Sequence, residues 1–276
     1  MNNLIYISDF FLDQFQGGAE LSDSVMIDHL CGHLEVSRRN SSEFKNKRDI
    51  ANKYIISNFS LLPQVEKDFF VKSGVDYIII ERDQKYVRSR NTATYPNFIA
   101  PPSEIVNREF YSSARKVFCL TSKQMEIMNA HLDLKNVESL GCTQFSKEQI
   151  DILSNNIDNK KIKKYAIVRS KMWKKAIAFC KSKNIEYDVI EKQEYSRFIK
   201  TLSEYHGLVF FSHAFESCCR LLVEARILNL SIITDNRNGC TYEDWFAKSK
   251  GRDLLRDVEK ITKNGMNLVL GECLDN

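Results

Sequence analysis

Residues 215–239 read "FESCCRLLVEARILNLSIITDNRNG" and hold two glutamates, Glu216 and Glu224, eight positions apart. On a helix, eight residues make a little over two turns, so both carboxylates would share one face. The stretch is bracketed by "LVFFS" (208–212) and "SIITD" (231–235), apolar runs of the kind that form buried strands. The reading is therefore strand, helix over 217–228, strand. Glu216 falls in the first turn of that helix, where the macrodipole stabilises a carboxylate.

The same alternation extends in both directions. Upstream in the second half, strands are predicted at 165–170 ("YAIVRS") and 187–191 ("YDVIE"), with helices at 171–183 and 194–205. A further helix is predicted at about 252–264. In the first half, strands are predicted at 4–8, 34–37, 54–57, 77–81, 116–121 and 137–140, with helices at 19–31, 63–73, 103–114 and 122–132. Between the halves, "SKEQIDILSNNIDNKKIKK" (146–164) reads as a helix followed by a polar linker. Alternating strands and helices with near-continuous apolar strands imply parallel sheets covered on both faces. The expected fold class is α/β, with two Rossmann-like domains facing a cleft, 1–150 and 151–276. The C-terminal helix is the element able to pack back on the first domain.

Composition narrows the class. A chain of 276 residues with 43% hydrophobic residues suits a two-domain globular protein. No run approaches the length of apolar sequence that a membrane span needs, and the N-terminus does not read as a signal peptide. The eight cysteines form no C-x-x-C pair, which is reduced, cytoplasmic usage rather than a disulfide framework or zinc site. Net charge is only +4, but its distribution is uneven. Residues 1–150 carry 18 Lys and Arg against 19 Asp and Glu. Within that neutral half, Arg38, Arg39, Lys45, Lys47 and Arg48 cluster in 37–53, and Arg82, Lys85, Arg88 and Arg90 cluster in 82–90.

In open α/β sheets, ligands bind at the carboxyl ends of strands, so the residues after each strand carry the functional reading. Gly17 and Gly18 follow the first strand and allow close backbone approach to a phosphate at a helix start; a flexible loop is the plainer alternative. Arg169 ends a strand and Lys174 lies on the next helical turn, a pairing that suits a diphosphate. An ordinary basic helix face would look similar. His213 follows another strand, where it touches a ligand or simply packs. Asp83 and Glu81 end a strand of the first domain; either is a candidate base, or a partner for Arg82 or Arg88.

E-x7-E after a core strand, Gly-Gly after the first strand and Arg-x4-Lys opening the second domain together resemble family-4-type glycosyltransferases of GT-B fold, over the whole chain. "YISDFFLDQFQGGAELSD", "ERDQKYVRSRN", "NREFYSSARKVF" and "VEARILN…WF" further resemble a subgroup encoded by large bacteriophages, some members of which glycosylate modified bases of phage DNA. The resemblance implies a nucleotide-diphosphate sugar donor, UDP-linked, and retention of configuration. It implies that Gly17 and Gly18 admit the donor, that Arg169 and Lys174 neutralise the diphosphate, and that amides near Cys219 and Arg220 cap it. Glu216 would contact the transferred sugar and Glu224 the ribose. Asp83 joins Glu216, Arg169 and Lys174 as a catalytic candidate. No metal or other cofactor is implied, since no Asp-x-Asp is present. The chain departs from the commoner pattern at Ser217 and Cys218, where the family has Gly and Phe, and at Lys175.

Three function classes remain. The first is a glycosyltransferase acting on a hydroxylated or hydroxymethylated base in phage DNA, in the host cytoplasm, with the two basic clusters rimming the cleft. The second is the same chemistry on a saccharide or lipid-linked acceptor. The third is a non-catalytic nucleic-acid-binding module on the same scaffold. A GT-B epimerase is a further possibility, without an evident histidine-rich site to match.

Overall fold

The computed structural model describes residues 4–44 and 53–274. The chain divides into two compact units, Met1–Phe145 with Ile261–Asn276, and Ser146–Lys260.

The first unit is built on strands β1 (Leu4–Ser8), β2 (Val36–Asn40), β3 (Lys53–Ile56), β4 (Tyr77–Ile80), β5 (Lys116–Cys119) and β6 (Val137–Ser139). They form one parallel sheet in the order β2-β1-β3-β4-β5-β6. The helices are α1 (Gly18–Cys31), α2 (Gln64–Ser73), α3 (Arg108–Ser112) and α4 (Ser122–Leu132). The central strands are buried along their length, as "LIYIS", "KYII" and "YIII" require of a sheet covered on both faces. One core cluster is rich in aromatic rings. Phe70 of α2 lies 5.2 Å from Tyr54, 5.1 Å from Tyr77 and 5.5 Å from Phe44, ring centre to ring centre.

The second unit contains α5 (Lys147–Asn156), β7 (Ile162–Val168), α6 (Trp173–Ser182), β8 (Tyr187–Ile190), α7 (Tyr195–Ser203), β9 (Tyr205–Val209), α8 (Arg220–Ile227), β10 (Ser231–Ile233) and α9 (Asp244–Lys248). Its parallel sheet runs β10-β9-β7-β8. A 24-residue helix, α10 (Gly251–Leu274), begins in this unit, and its residues from Ile261 onward belong to the first. Gly251 starts it with φ +58, and a Cβ there would fall 2.6 Å from the Asn229 side chain, so only glycine fits.

Several elements differ from the sequence expectation, among them β7 (Ile162–Val168 rather than 165–170), β9 (Tyr205–Val209 rather than 208–212) and α10 (Gly251–Leu274 rather than about 252–264), and three further differences bear on the candidate residues. Over 103–114 only Arg108–Ser112 is α-helical. The Pro101-Pro102 pair starts a separate turn, Ile105 bridges to Val87, and Asn107 sits at φ 56, which no helix tolerates. Strand 34–37 is shifted to Val36–Asn40, so Arg38 and Arg39 lie on the strand rather than after it. It is the sheet's edge strand, where charged side chains are at home. The helix over 217–228 begins only at Arg220.

Candidate functional site

The late start of α8 reshapes the opening stretch. Glu216 is not in a helical turn. It pairs in parallel with Asn238: its N–H donates to the Arg237 carbonyl (2.8 Å) and its carbonyl accepts from Gly239 N–H (2.8 Å). Asn238 is buried; it accepts from Ser212 Oγ (2.8 Å) and donates to Thr234 Oγ1 (3.0 Å), which fixes the loop after β9 to the loop after β10. Glu216 is therefore held in extended backbone with an exposed side chain, four residues before the helix begins. The two glutamates do not share a helix face.

Glu224 lies on α8 and is only 3% exposed. Its Oε1 accepts from Arg220 Nε one turn earlier (3.1 Å) and from the Tyr195 hydroxyl of α7 (3.0 Å). Burial pushes the Glu224 carboxyl up, and the Arg220 guanidinium and Tyr195 hydroxyl act against that rise. Arg220 also donates to Gln149, whose side-chain oxygen accepts from Ser146 N–H to close the capping box of α5. Glu224 is thus not a solvated helix residue: its Oε1 is held inside the unit by Arg220 and Tyr195.

Cys219 is the N-cap of α8 and makes no side-chain cap bond. Its thiol is buried, and that burial pushes it well up, away from the thiolate form. A helix start without a side-chain cap is where backbone N–H groups and the macrodipole favour an anion. Arg169 follows β7, ion-paired with Glu191 (2.7 Å) and lying over the Trp173 ring at 4.8 Å; its side chain is 53% exposed. Lys174, in the first turn of α6, is exposed, whereas Lys175 points to Asp235 (3.7 Å) and the Phe211 ring (4.7 Å). His213 is exposed after β9, and its carbonyl accepts from Arg237 (3.4 Å). Because the sheet is parallel, Arg169, His213 and Asp235 all follow strands at its carboxyl edge.

In the first unit, Gly17 is the N-cap of α1 and Gly18 its first residue. A Cβ on Gly17 would come 2.4 Å from Glu20 Oε2, so glycine lets the Glu20 carboxylate fold back over the helix start. Gly18 has open space where its Cβ would be. Glu20 is buried, and burial raises its carboxyl, with Asp23 and Asp83 adding to the rise and Arg82 opposing it. Its sequence signal was its place three residues after Gly17. Tyr195 and Gln149 had no comparable signal.

The basic run after β4 is mostly turned inward. Arg82 is buried and donates to Asp23 (2.6 Å) and to Ser57. Asp23 also accepts from Tyr6 (2.7 Å), Ser8 (3.0 Å) and Ser57 (2.8 Å). Lys85, 3% exposed, sits 3.6 Å from Glu81, 3.7 Å from Asp83 and 5.1 Å from the Phe59 ring centre. Glu81 is itself buried and accepts from the N–H groups of Asp83 (2.7 Å) and Lys85 (3.3 Å) and from the Tyr111 hydroxyl. Arg82 and Lys85 are thus corrected from rim residues to core ion pairs: their partners after β1, β3 and β4 are supplied within the fold. Asp83 pairs with Arg90 (2.6 Å) as well as Lys85, and Lys85, more than Arg90, holds its carboxyl below the ordinary range. That environment does not make a base. Arg88 remains exposed, 4.0 Å from Glu104.

Arg38 and Arg39 are exposed on β2, with Arg38 paired to Asp13 (3.1 Å). Strands β2 and β4 are separated by β1 and β3, roughly 14 Å at ~4.8 Å per strand, so the two clusters do not follow adjacent strands. Lys45, Lys47 and Arg48 lie outside the described residues. Among the described residues no three His, Cys, Asp or Glu side chains form a group able to hold a metal, and no helix is long and apolar enough to cross a membrane.

No protein-family model matches the chain. No curated protein matches it either. Among solved structures, the chain is similar to apo OtsA, with a TM-score of 0.59 at 6% identity over 100% of both chains. It is similar to AviGT4, a glycosyltransferase of avilamycin A biosynthesis, with a TM-score of 0.51 at 9% identity over 98% of this chain and 96% of that one. It is also similar to the UDP-GlcNAc 2-epimerase of Neisseria meningitidis, with a TM-score of 0.50 at 12% identity over 100% of both chains. At such identities the likeness is one of fold. Two α/β units, each on its own parallel sheet, give this chain the GT-B fold.

Proposed function

We propose that this chain transfers a sugar from a nucleotide-diphosphate sugar, UDP-linked, to a hydroxyl on a modified base of DNA, with retention and without a metal. The observation that carries the reading is the second unit's carboxyl edge. There the start of α8 lacks a side-chain cap, Glu216 is presented in fixed extended backbone before it, and Arg169 and Lys174 are exposed after β7.

Transfer breaks the bond from the sugar's anomeric carbon to the diphosphate oxygen and forms one to the acceptor oxygen. Negative charge grows on the leaving diphosphate, where fixed cations and helix amides act most strongly. Arg169, Lys174 and the amides at Cys219 and Arg220 take that role. Glu216 holds the sugar's hydroxyls, Glu224 holds the ribose, and His213 lies beside the sugar. With retention, the acceptor proton leaves on the diphosphate, so Asp83 is not needed as a base. In the first unit, Gly18 leaves open space at the start of α1, whereas the place of a Gly17 Cβ is taken by Glu20 and Phe15, so Gly17 would serve the donor only through its backbone. Arg38, Arg39, Arg88 and Arg90 are exposed cations available to a DNA backbone.

Two solved neighbours of this fold are named as a glycosyltransferase and as an epimerase acting on a sugar nucleotide. The two chemistries differ in their products. Incubation with a panel of nucleotide sugars and DNA carrying hydroxymethylated bases, followed by nucleoside mass analysis, should show one added sugar. Conversion of the donor into an isomer with no transfer would establish the epimerase instead. Transfer to saccharide or lipid-linked acceptors but not DNA would move the assignment to that acceptor.

A further inference from the structure

The loop between β1 and α1 exposes two aromatic rings on a rigid support. Phe10 is 44% exposed and Phe15 58%, with ring centres 6.2 Å apart. The loop is tightly held. Gln14 and Phe15 N–H groups donate to the Phe11 carbonyl (2.9 and 3.0 Å). Asn40 at the end of β2 donates to the Asp9 carbonyl (2.9 Å) and to Gln14 Oε1 (2.8 Å). The buried Asp9 carboxylate accepts from the N–H groups of Ser60 and Leu61 (2.9 Å each) and from Ser41. Such a loop gains nothing in its own fold by leaving two phenylalanines in water, and an exposed apolar patch of this kind marks a binding surface.

Its surroundings define the occupant. Arg38 lies over the Phe11 ring (5.0 Å) and is anchored by Asp13; Arg39, the next residue of the strand, is exposed, and its guanidinium turns back to donate to the Arg38 carbonyl (2.9 Å). Gln14 and Asn40 complete a polar border. The Phe15 ring also abuts Gly17, where an added Cβ would come within 2.9 Å of it. Aromatic surface next to arginine suits a nucleic-acid strand, which offers flat bases and regularly spaced phosphates. A lipid surface would need a wider apolar face than two rings.

We propose that Phe10 and Phe15 form the stacking platform for an unpaired base of the acceptor DNA, with Arg38 and Arg39 taking the flanking phosphates. This rests on the DNA-acceptor reading above. A base must leave the duplex to reach a reacting centre, and a ready aromatic surface offsets part of the lost stacking.

The test is a binding cycle at low salt. The probes are a single-stranded oligonucleotide carrying 2-aminopurine at one position and matching strands with an abasic site scanned along them. The proteins are wild type, Phe10→Ala/Phe15→Ala, and Phe15→Leu, which keeps apolar bulk without the ring. The wild type should quench the probe and lose about tenfold in affinity when the stacked base is removed. The double variant should bind about tenfold more weakly, with no further loss at that abasic position, and Phe15→Leu should behave like it. The circular dichroism spectrum and denaturation midpoint should be unchanged, which shows that the fold is intact. Equal abasic losses in wild type and double variant would overturn the platform while leaving the DNA reading standing. Full binding by Phe15→Leu, or binding of alkyl glycosides by the patch with no effect on DNA, would also overturn it. Wild-type protein that binds no DNA would overturn both readings.

Discussion

At the carboxyl edge of the first sheet, Arg82 is buried against Asp23 and Lys85 against Glu81 and Asp83. At that of the second sheet, Arg169 and Lys174 remain exposed, and Arg169 lies over Trp173 and pairs with the exposed Glu191. Both edges carry cations directly after core strands, yet one set completes the interior while the other faces water. The difference lies in where the acids are. Asp23 on α1 and Glu81 at the end of β4 are buried and need counter-charges within reach. Glu191 has water to satisfy it, so Arg169 is not committed to it. A charged run after a strand is therefore a ligand surface only when its acids can do without it.

The largest expected effect tests that division directly. Arg82→Ala leaves Asp23 buried with its ion partner gone and should cost about 3–5 kcal/mol, while Arg169→Ala should cost at most about 1 kcal/mol. Chemical denaturation of both variants checks this; equal losses would erase the distinction. For ligand binding the order should reverse, with Arg169→Ala weakening nucleotide diphosphate affinity and a destabilised but folded Arg82 variant keeping it.

Next in size is Glu224→Gln. A charge-assisted hydrogen bond to a ribose is worth about 1.5–3 kcal/mol, so calorimetry with UDP should show at least about a tenfold loss. Tyr195→Phe removes only one of the carboxylate's internal partners and should lose less. UDP affinity unaffected by Glu224→Gln would reduce Glu224 to a structural mate of Arg220.

Acid titration separates two carboxylates of the first unit. Lys85, ahead of Arg90, holds Asp83 below the usual range. Ionised Asp83 thus contributes stability above its unfolded value of about 3.9, and that contribution is lost as pH falls through the lower folded value. Burial raises Glu20, so its charge is penalised in the folded state as pH climbs beyond about 4.3. Asp83→Asn should lower stability near neutrality and flatten the acid limb. Glu20→Gln should raise stability near neutrality by an amount that vanishes below about pH 4. Denaturation midpoints across that range decide; matching profiles for the two variants would contradict the assigned environments.

The smallest effect expected is that of chelation. The sequence has no Asp-x-Asp, and Arg169 with Lys174 take the diphosphate in the reading above. Turnover should persist in excess chelator, and loss restored by magnesium or manganese would remove that role from the two cations.

The α/β architecture was legible because apolar strands such as "YIII" and "KYII" admit one environment only, the middle of a covered parallel sheet. The placement of functional side chains was less so. The late start of α8 depends on the Glu216 pairing with Asn238, 22 positions away, which no local periodicity encodes. The inward turn of Arg82 and Lys85 depends on Asp23, a residue that looked like part of an ordinary amphipathic helix. Tyr195 became relevant only when α7 was seen to bring its hydroxyl to Glu224.

The last turns of α10 carry a consequence for biosynthesis. Arg115 at the start of β5 donates to the carbonyl of Glu272 and pairs with its side chain, and Lys53 donates to the Cys273 carbonyl (2.9 Å). Residues 1–145 leave the ribosome long before those partners exist, so the first unit meets its closing segment only after the second has been made. The nascent first unit must wait with Arg115 and Lys53 lacking these contacts, and a fragment ending at 145 would remain in that condition. Joining 261–274 to such a fragment through a short linker should restore its cooperativity in chemical denaturation.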